Sequence, residues 1–405
     1  MARATERSWD HLLAQRARSS ESDAIAAIMA MANRTDIISF CGGIPDPATF
    51  PRFELADVLR RIAESADTTA FQYAPTEGLE SVRDYIADRL EVLEGLRPAL
   101  DEVMVTSGGI EALELLSKSF LDAGDVVCVE SPSYLGSNLG FQSFEARLVG
   151  VPMDEHGVVP EALEALLANG LRPKLVYVIP DFQNPTGLSL SAERRGPLVE
   201  LARRYGFLLI EDVTYRELTF DGSIAPALRA LGPDVTVQIG TFSKTFLPGT
   251  RLGWAAAPPA IIARMVWAKQ NTDQCAGALG SRLLEEYGRS GLLDAQIARS
   301  RTLYAHRAAR TMAALERSMP PAVLWTRPRG GFLTWLTLPA AADTTALAEE
   351  AVEVGVAFVP GEPFAVDGGG RDSLRLSFSR VTDDEIDEGI ARLGTLIRQA
   401  LEGAA

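Results

Sequence analysis

VTVQIGTFSKTFLPGTRLGW, residues 235–254, is the stretch on which the fold turns. Residues 235–241 are rich in β-branched side chains and read as a strand. Lys244 follows, set between Phe242 and Phe246. Pro248-Gly249 then breaks the chain, and 251–257 read as a second strand that a short turn lets run antiparallel. Similar short apolar runs lie upstream at 103–107, 126–130, 148–151, 175–179 and 207–212. Helical patterns separate several of them. In 110–121, Ile110, Leu113, Leu116, Phe120 and Leu121 keep to one face, and 192–205 form another helix in which Gly196-Pro197 blurs the start. Strands joined by helices predict an α/β domain whose mainly parallel, seven-stranded sheet lies between helices. Past about residue 290 the pattern changes. A long helix carrying Arg299, Arg301, Arg307 and Arg310 is expected to present them to solvent, and 331–338, 344–354, 356–359 and 374–379 complete a smaller α+β domain. Residues 8–33 read as one helix, followed by the breaker-rich loop Cys41-Gly42-Gly43-Ile44-Pro45-Asp46-Pro47. The expected division is an N-terminal helix and arm in 1–50 that belongs to the small domain, a large domain in 51–295, and the small domain proper in 296–405.

Composition narrows the function. The 405 residues are 47% apolar and 23% charged, which excludes a disordered chain. A net charge of −15 argues against general nucleic-acid binding and against a polybasic membrane patch. No apolar run approaches about 20 residues. The first ten residues alternate charges (Arg3, Glu6, Arg7, Asp10), unlike a signal peptide, and residues 1–17 read as a frayed tail. Three scattered cysteines (Cys41, Cys128, Cys275) and three histidines without ligand spacing make neither a disulfide framework nor a metal site, and Gly-x-Ser-x-Gly is absent. A cytoplasmic enzyme is the expectation.

Sites in open α/β sheets gather at the carboxyl ends of strands. There, Ser107-Gly108-Gly109 precedes a helix, so its backbone N–H groups face an anion or simply make a tight turn. Neither a Walker A loop nor Gly-x-Gly-x-x-Gly is present, which leaves nucleotide and nicotinamide readings without a signature. Strand 207–212 ends in Asp212, with Tyr215 just beyond, and a carboxylate there suits a protonated ring nitrogen or a plain strand end. Asn184-Pro185-Thr186-Gly187 reads as a turn or a ligand site. Desolvation releases the free amine of a lysine such as Lys244, which then forms a Schiff base with a carbonyl. Arg251 suits a phosphate clamp. A lysine for an aldehyde, an acid for a pyridinium nitrogen and a phosphate cradle together describe pyridoxal phosphate.

The ordered motifs SFCGGIPDPATFP, FQYAPTEG, TSGGIEAL, ESPSYLG, PDFQNPTG, IEDVTYREL, TFSKTFLPGTRLGW and LRLSFS resemble those of the class I/II aminotransferases with the aspartate-aminotransferase fold. The similarity is greatest to the 2-aminoadipate, kynurenine and aromatic branch, and it runs from about residue 18 to the C-terminus. The resemblance implies an internal aldimine on Lys244, which also acts as base for the proton shift. It implies Asp212 on the pyridinium nitrogen, Asn184 and Tyr215 on the ring hydroxyl, and Tyr134 stacked on the ring. Ser107, Gly108, Gly109, Ser243 and Arg251 would hold the phosphate, with Tyr73 reaching it from the partner subunit of a homodimer. Arg375 would clamp the substrate α-carboxylate, with Asn184, Gly42 and Gly43 beside it. Ile110 stands where many members carry a glutamine, and Gly109 where many carry a serine.

The implied activity is amino-group transfer from an α-amino acid to a 2-oxo acid by a ping-pong cycle. The same cofactor and residues also fit β- or γ-replacement, elimination, decarboxylation or oxidation in specialised biosynthesis. A regulator with an aminotransferase-like effector domain would need a DNA-binding unit, for which only 41 residues precede the GGIPDP loop.

Overall fold

The computed structural model describes residues 9–17, 23–339 and 342–403. Its centre is one sheet of eight strands. In spatial order they are Val103–Thr106, Gly253–Ala256, Thr236–Thr241, Leu208–Asp212, Leu175–Val178, Val126–Ser131, Arg147–Asp154 and Gly157–Val158. Five neighbours from Thr236–Thr241 to Arg147–Asp154 are parallel, while Gly253–Ala256 runs antiparallel to both of its neighbours. Seven of the eight correspond to the expected strands. The eighth, Gly157–Val158, pairs antiparallel with Met153 and Asp154, and two residues are too short for a periodic signal.

Alternate residues explain why the sheet is covered on both sides. Leu175, Tyr177, Ile210, Val237 and Ile239 enter one buried cluster with Leu113, Leu116 and Met265 from helices Gly109–Phe120 and Pro259–Gln270. Val176, Val178 and Leu209 enter another with Leu163 and Leu198 from helices Pro160–Ala168 and Ala192–Tyr205. Each such side chain stabilises the fold by about 1.5–3 kcal/mol on burial.

A second, four-stranded antiparallel sheet has the order Leu324–Trp325, Leu333–Thr337, Ser373–Ser377, Val359–Pro360. Helices Leu292–Ser318 and Asp383–Gly403 pack on it, and Phe40, Val356, Phe378 and Ile390 share their core. The short strand Ile38–Ser39 pairs in parallel with Val356–Ala357, which ties the N-terminal segment to this layer.

Two expectations are corrected. Residues 8–33 are not one helix: short 3-10 turns occupy Asp10–Leu12 and Gln15–Ala17, and the α-helix is Asp23–Ala32. Residues 1–8 and 18–22 lie outside the described residues. The arginines of helix Leu292–Ser318 are also not all solvated. Arg307 is buried, pairs with Asp46 at 2.6 Å and donates to the Ser379 carbonyl. It thereby pins the 41–46 loop to the second sheet. Among the described residues no helix is long and apolar enough to cross a membrane.

Candidate active site

Carboxyl ends of the strands Leu208–Asp212 and Thr236–Thr241 open into a cavity of about 290 Å³. Gly42, Gly43, Gly109, Tyr134, Asn184, Asp212, Tyr215, Ser243, Lys244, Arg251 and Arg375 all line it. Ser107, Gly108 and Tyr73 do not.

Lys244 follows its strand into a turn held by buried Phe242 and Phe246. Its Nζ donates to the Gly43 carbonyl at 2.8 Å. Burial, then the cations Arg375 and Arg251, lower its pKa to about 8. At pH 7 that frees roughly three hundred times more amine than an ordinary lysine offers.

Asp212 accepts from Tyr177 Oη at 2.8 Å and from the Thr214 N–H at 3.0 Å. Burial still leaves its carboxyl above the usual range, against the pull of these donors and of Lys244. A buried carboxylate so placed gains from any cation offered to it. Tyr215 stands nearby, its ring edge-on to Phe332, and burial pushes its phenol up. Behind them Glu130 is almost fully buried, accepting from the Ile179 N–H and Gln183 Nε2, and desolvation pushes it up to about 8.

At the other end of the cavity the helix Gly109–Phe120 begins. Gly108 has φ +96°, and a Cβ there would lie 2.8 Å from Arg251 Nη2. From behind, Gly253 packs so closely that a Cβ would meet Gly108 C at 2.6 Å and Gly109 N at 2.8 Å. Backbone N–H groups, a helix N-terminus and a guanidinium therefore converge, which is an anion cradle by its chemistry. The Ser107 hydroxyl is turned away from it and donates to Asp273 at 2.6 Å. Tyr134 opens helix Leu135–Gln142 with its ring lying over Gly136, where a Cβ would meet the phenol carbon at 2.5 Å.

Arg375 comes from the second sheet. Its Nη1 donates to Asn184 Oδ1 at 3.0 Å and its Nη2 to the Cys41 carbonyl at 2.7 Å, over the Phe364 ring at 5.0 Å. Its buried Nε has no partner, so donor capacity is left for an anion. Ser377 and Ser379 donate to the Gly42 carbonyl at 2.8 and 3.1 Å and hold Gly42 and Gly43 against this arginine. Tyr73 is 82% exposed and away from the cavity of its own chain.

Five contributing residues escaped the sequence reading. Tyr177 looked like an aromatic in a buried strand, the Cys41 carbonyl carries no side-chain signal, and Ile25, Ile28 and Met29 of helix Asp23–Ala32 form an apolar wall of the cavity. The i, i+3, i+4 spacing of those three was the one available hint.

Residues 35–393 match the family model described as aminotransferase class I and II. The aromatic-amino-acid aminotransferase 1 of Thermococcus litoralis is 34% identical over 399 residues, covering 97% of this chain and 96% of the relative. A kynurenine aminotransferase structure from Pyrococcus horikoshii, in complex with PMP, superposes with a TM-score of 0.91 at 37% identity, covering 96% of this chain and 98% of that one. The alpha-aminoadipate aminotransferase of Thermus thermophilus, complexed with N-(5'-phosphopyridoxyl)-L-leucine, gives a TM-score of 0.89 at 35% identity, covering 98% and 100%.

Proposed function

The chain belongs to the class I and II aminotransferases and is a pyridoxal-phosphate-dependent transaminase; from that premise we infer which of its residues hold the cofactor and which act on the substrate. The donor set fits the group: an amine of lowered pKa, a buried carboxylate, and a glycine turn in which a Cβ would occupy the space beside Arg251. Bound there, pyridoxal phosphate supplies an aldehyde for the amino group and a ring that takes up the electron pair released at the substrate Cα.

Lys244 is the catalytic amine, which would hold the cofactor at its aldehyde carbon and carry the proton from the substrate Cα to that carbon. Its link to the Gly43 carbonyl sets its direction. Asp212 keeps the ring nitrogen protonated, Asn184 and Tyr215 serve the ring hydroxyl, and Tyr134 covers the ring face. Gly108, Gly109, Ser243 and Arg251 take the phosphate, with Ser107 shaping the turn. Arg375 binds the substrate α-carboxylate through its remaining N–H groups, because a planar fork matches a carboxylate better than an ammonium does. Tyr73, exposed on its own chain, reaches the phosphate of a second subunit, so the working form is a homodimer with shared sites. Residues 51–295 form the cofactor-binding domain, and 1–50 with 296–405 form the smaller one, which closes over the substrate. Cys41, Cys128 and Cys275 are all free, in keeping with a cytoplasmic setting.

The donor is an α-amino acid with an apolar or aromatic side chain. Ile25, Ile28, Met29, Ile44 and Phe364 supply the walls, and among the described lining residues the only cations are Lys244, Arg251 and Arg375, each already assigned. What chiefly supports this whole reading is the convergence of Lys244, Asp212 and Arg375 on a single cavity.

A spectrum taken with single amino acids tests it. The absorbance band of the lysine-bound cofactor should bleach with leucine, methionine or phenylalanine, more slowly with aspartate, and return with a 2-oxo acid. In Arg375→Ala the KM for the donor should rise at least tenfold; unchanged KM and kcat would remove Arg375 from the site. Release of ammonia or carbon dioxide in place of a recoverable band would point to the other reactions of this cofactor.

A further inference from the structure

We propose that Lys269 is a positioning residue for the cofactor phosphate, acting through two carboxylates that grip Ser107. Lys269 lies in the last turn of helix Pro259–Gln270 and its side chain has no solvent exposure. Lysines are almost never buried so fully without partners. Its Nζ donates to both Glu111 oxygens, at 2.8 and 2.6 Å, and to both Asp273 oxygens, at 2.8 and 2.9 Å. Those two carboxylates hold the same serine from two sides. Glu111 Oε2 accepts the Ser107 N–H, and Asp273 Oδ2 accepts the Ser107 hydroxyl at 2.6 Å.

The arrangement answers a mechanical need. Two consecutive glycines have more backbone freedom than any other pair, so a Gly108-Gly109 turn does not hold its own N–H groups in a fixed direction. Gly253 blocks the turn from behind. Ser107 is its upstream anchor, and Lys269 fixes that anchor from a helix that lies beyond the turn. No part of Lys269 lines the cavity, so its effect on the phosphate passes through Ser107.

Electrostatics alone would argue for a different design. Lys269, Glu111 and Asp273 together carry one net negative charge beside a site for a dianion. Neutralising Asp273 would therefore favour the phosphate if the cluster acted by its field, and weaken it if the cluster acts by holding the turn. The two roles have opposite signs.

The inference rests on the assignment of the phosphate to this turn, and the experiment separates the two. Full-length protein freed of cofactor is titrated with pyridoxal phosphate and, separately, with pyridoxal, which lacks the phosphate. In Lys269→Met the Kd for pyridoxal phosphate should rise about tenfold or more, the scale of losing charge-assisted hydrogen bonds, while that for pyridoxal stays within twofold. Asp273→Asn, a milder change at a partly exposed residue that keeps the test alive if Lys269→Met fails to fold, should also weaken pyridoxal phosphate alone. Tighter phosphate binding in Asp273→Asn, or equal loss of both ligands in the variants, overturns the proposal. Arg251→Gln serves as reference. If it alone changes the preference for the phosphorylated ligand, the phosphate assignment stands and the role of Lys269 falls; if it changes nothing, both fall.

Discussion

Replacing Tyr177 by phenylalanine removes one oxygen and little else. The ring is packed edge-on to Phe141 with centroids 5.8 Å apart, and phenylalanine fills the same space. What disappears is the 2.8 Å hydrogen bond to Asp212 Oδ2, leaving the Thr214 N–H on the other oxygen. A hydrogen bond to a charged group contributes about 1.5–3 kcal/mol. At 1.36 kcal/mol per pKa unit, its loss lifts the Asp212 carboxyl by about 1–2 units beyond where burial already holds it. Only the ionised form can pair with a protonated ring nitrogen. The acid limb of cofactor uptake by the cofactor-free protein should therefore move up by that amount. The first-order rate of the donor half-reaction, followed by stopped-flow absorbance at pH 7, should fall about tenfold, the effect of one such hydrogen bond at its lower range. KM for the donor should hardly change, since Tyr177 is far from Arg375 in role and contact. A half-reaction within twofold of wild type and an unmoved acid limb would refute the idea that Tyr177 tunes Asp212.

Glu130 gives a stability test. Its folded pKa of about 8 lies above the ordinary 4.5, so the folded state holds an extra proton between those values. The resulting stabilisation is complete below about 4.5 and is lost as pH rises through 8. Glu130→Gln mimics the protonated acid, so between pH 6 and 8 the wild type should lose on the order of 2 kcal/mol more than the variant; parallel thermal midpoints across that range would count against a buried neutral Glu130. In Gly108→Ala, the added carbon 2.8 Å from Arg251 and the φ of +96° should cost about 1–3 kcal/mol of strain and weaken cofactor binding tenfold or more, measured by equilibrium dialysis. Finally, co-expressing Lys244→Ala with Tyr73→Ala should restore activity well above either variant alone, because a hybrid dimer rebuilds one complete site; purely additive activity would mean that Tyr73 does not serve the neighbouring subunit.

Much of this was legible because the chemistry sits where the chain changes direction. Lys244, Asp212 and Asn184 each follow an apolar strand, and a reactive or polar group at such an end stands out against its neighbours. The parallel strands themselves were readable because burial on both faces demands continuous apolar runs. Harder to see were features made by tertiary contact. Arg307 is one arginine among several at helical spacing, and only the approach of Asp46 and the Ser379 carbonyl makes it an internal anchor. Tyr177 belongs to the run Leu175–Val178, where an aromatic ring is ordinary, and its hydroxyl acquires meaning from Asp212 on the next strand. Lys269 and Asp273 look like an exposed i, i+4 pair until Glu111, 158 residues away, closes on them.

Helix Asp23–Ala32 touches the cavity with Ile25, Ile28 and Met29, yet no strand of either sheet runs through it. Ile28, Met31 and Ala32 hold it in place by packing near Cys41 and Trp335. The groups proposed to make and break bonds stand on sheet ends instead, where a shift in one strand would drag its neighbours. A lineage built this way can change its diet without relearning its chemistry: one exposed helix drifts among apolar and polar faces while the reacting groups stay fixed. For an engineer the same separation marks where to randomise and where to leave the chain alone.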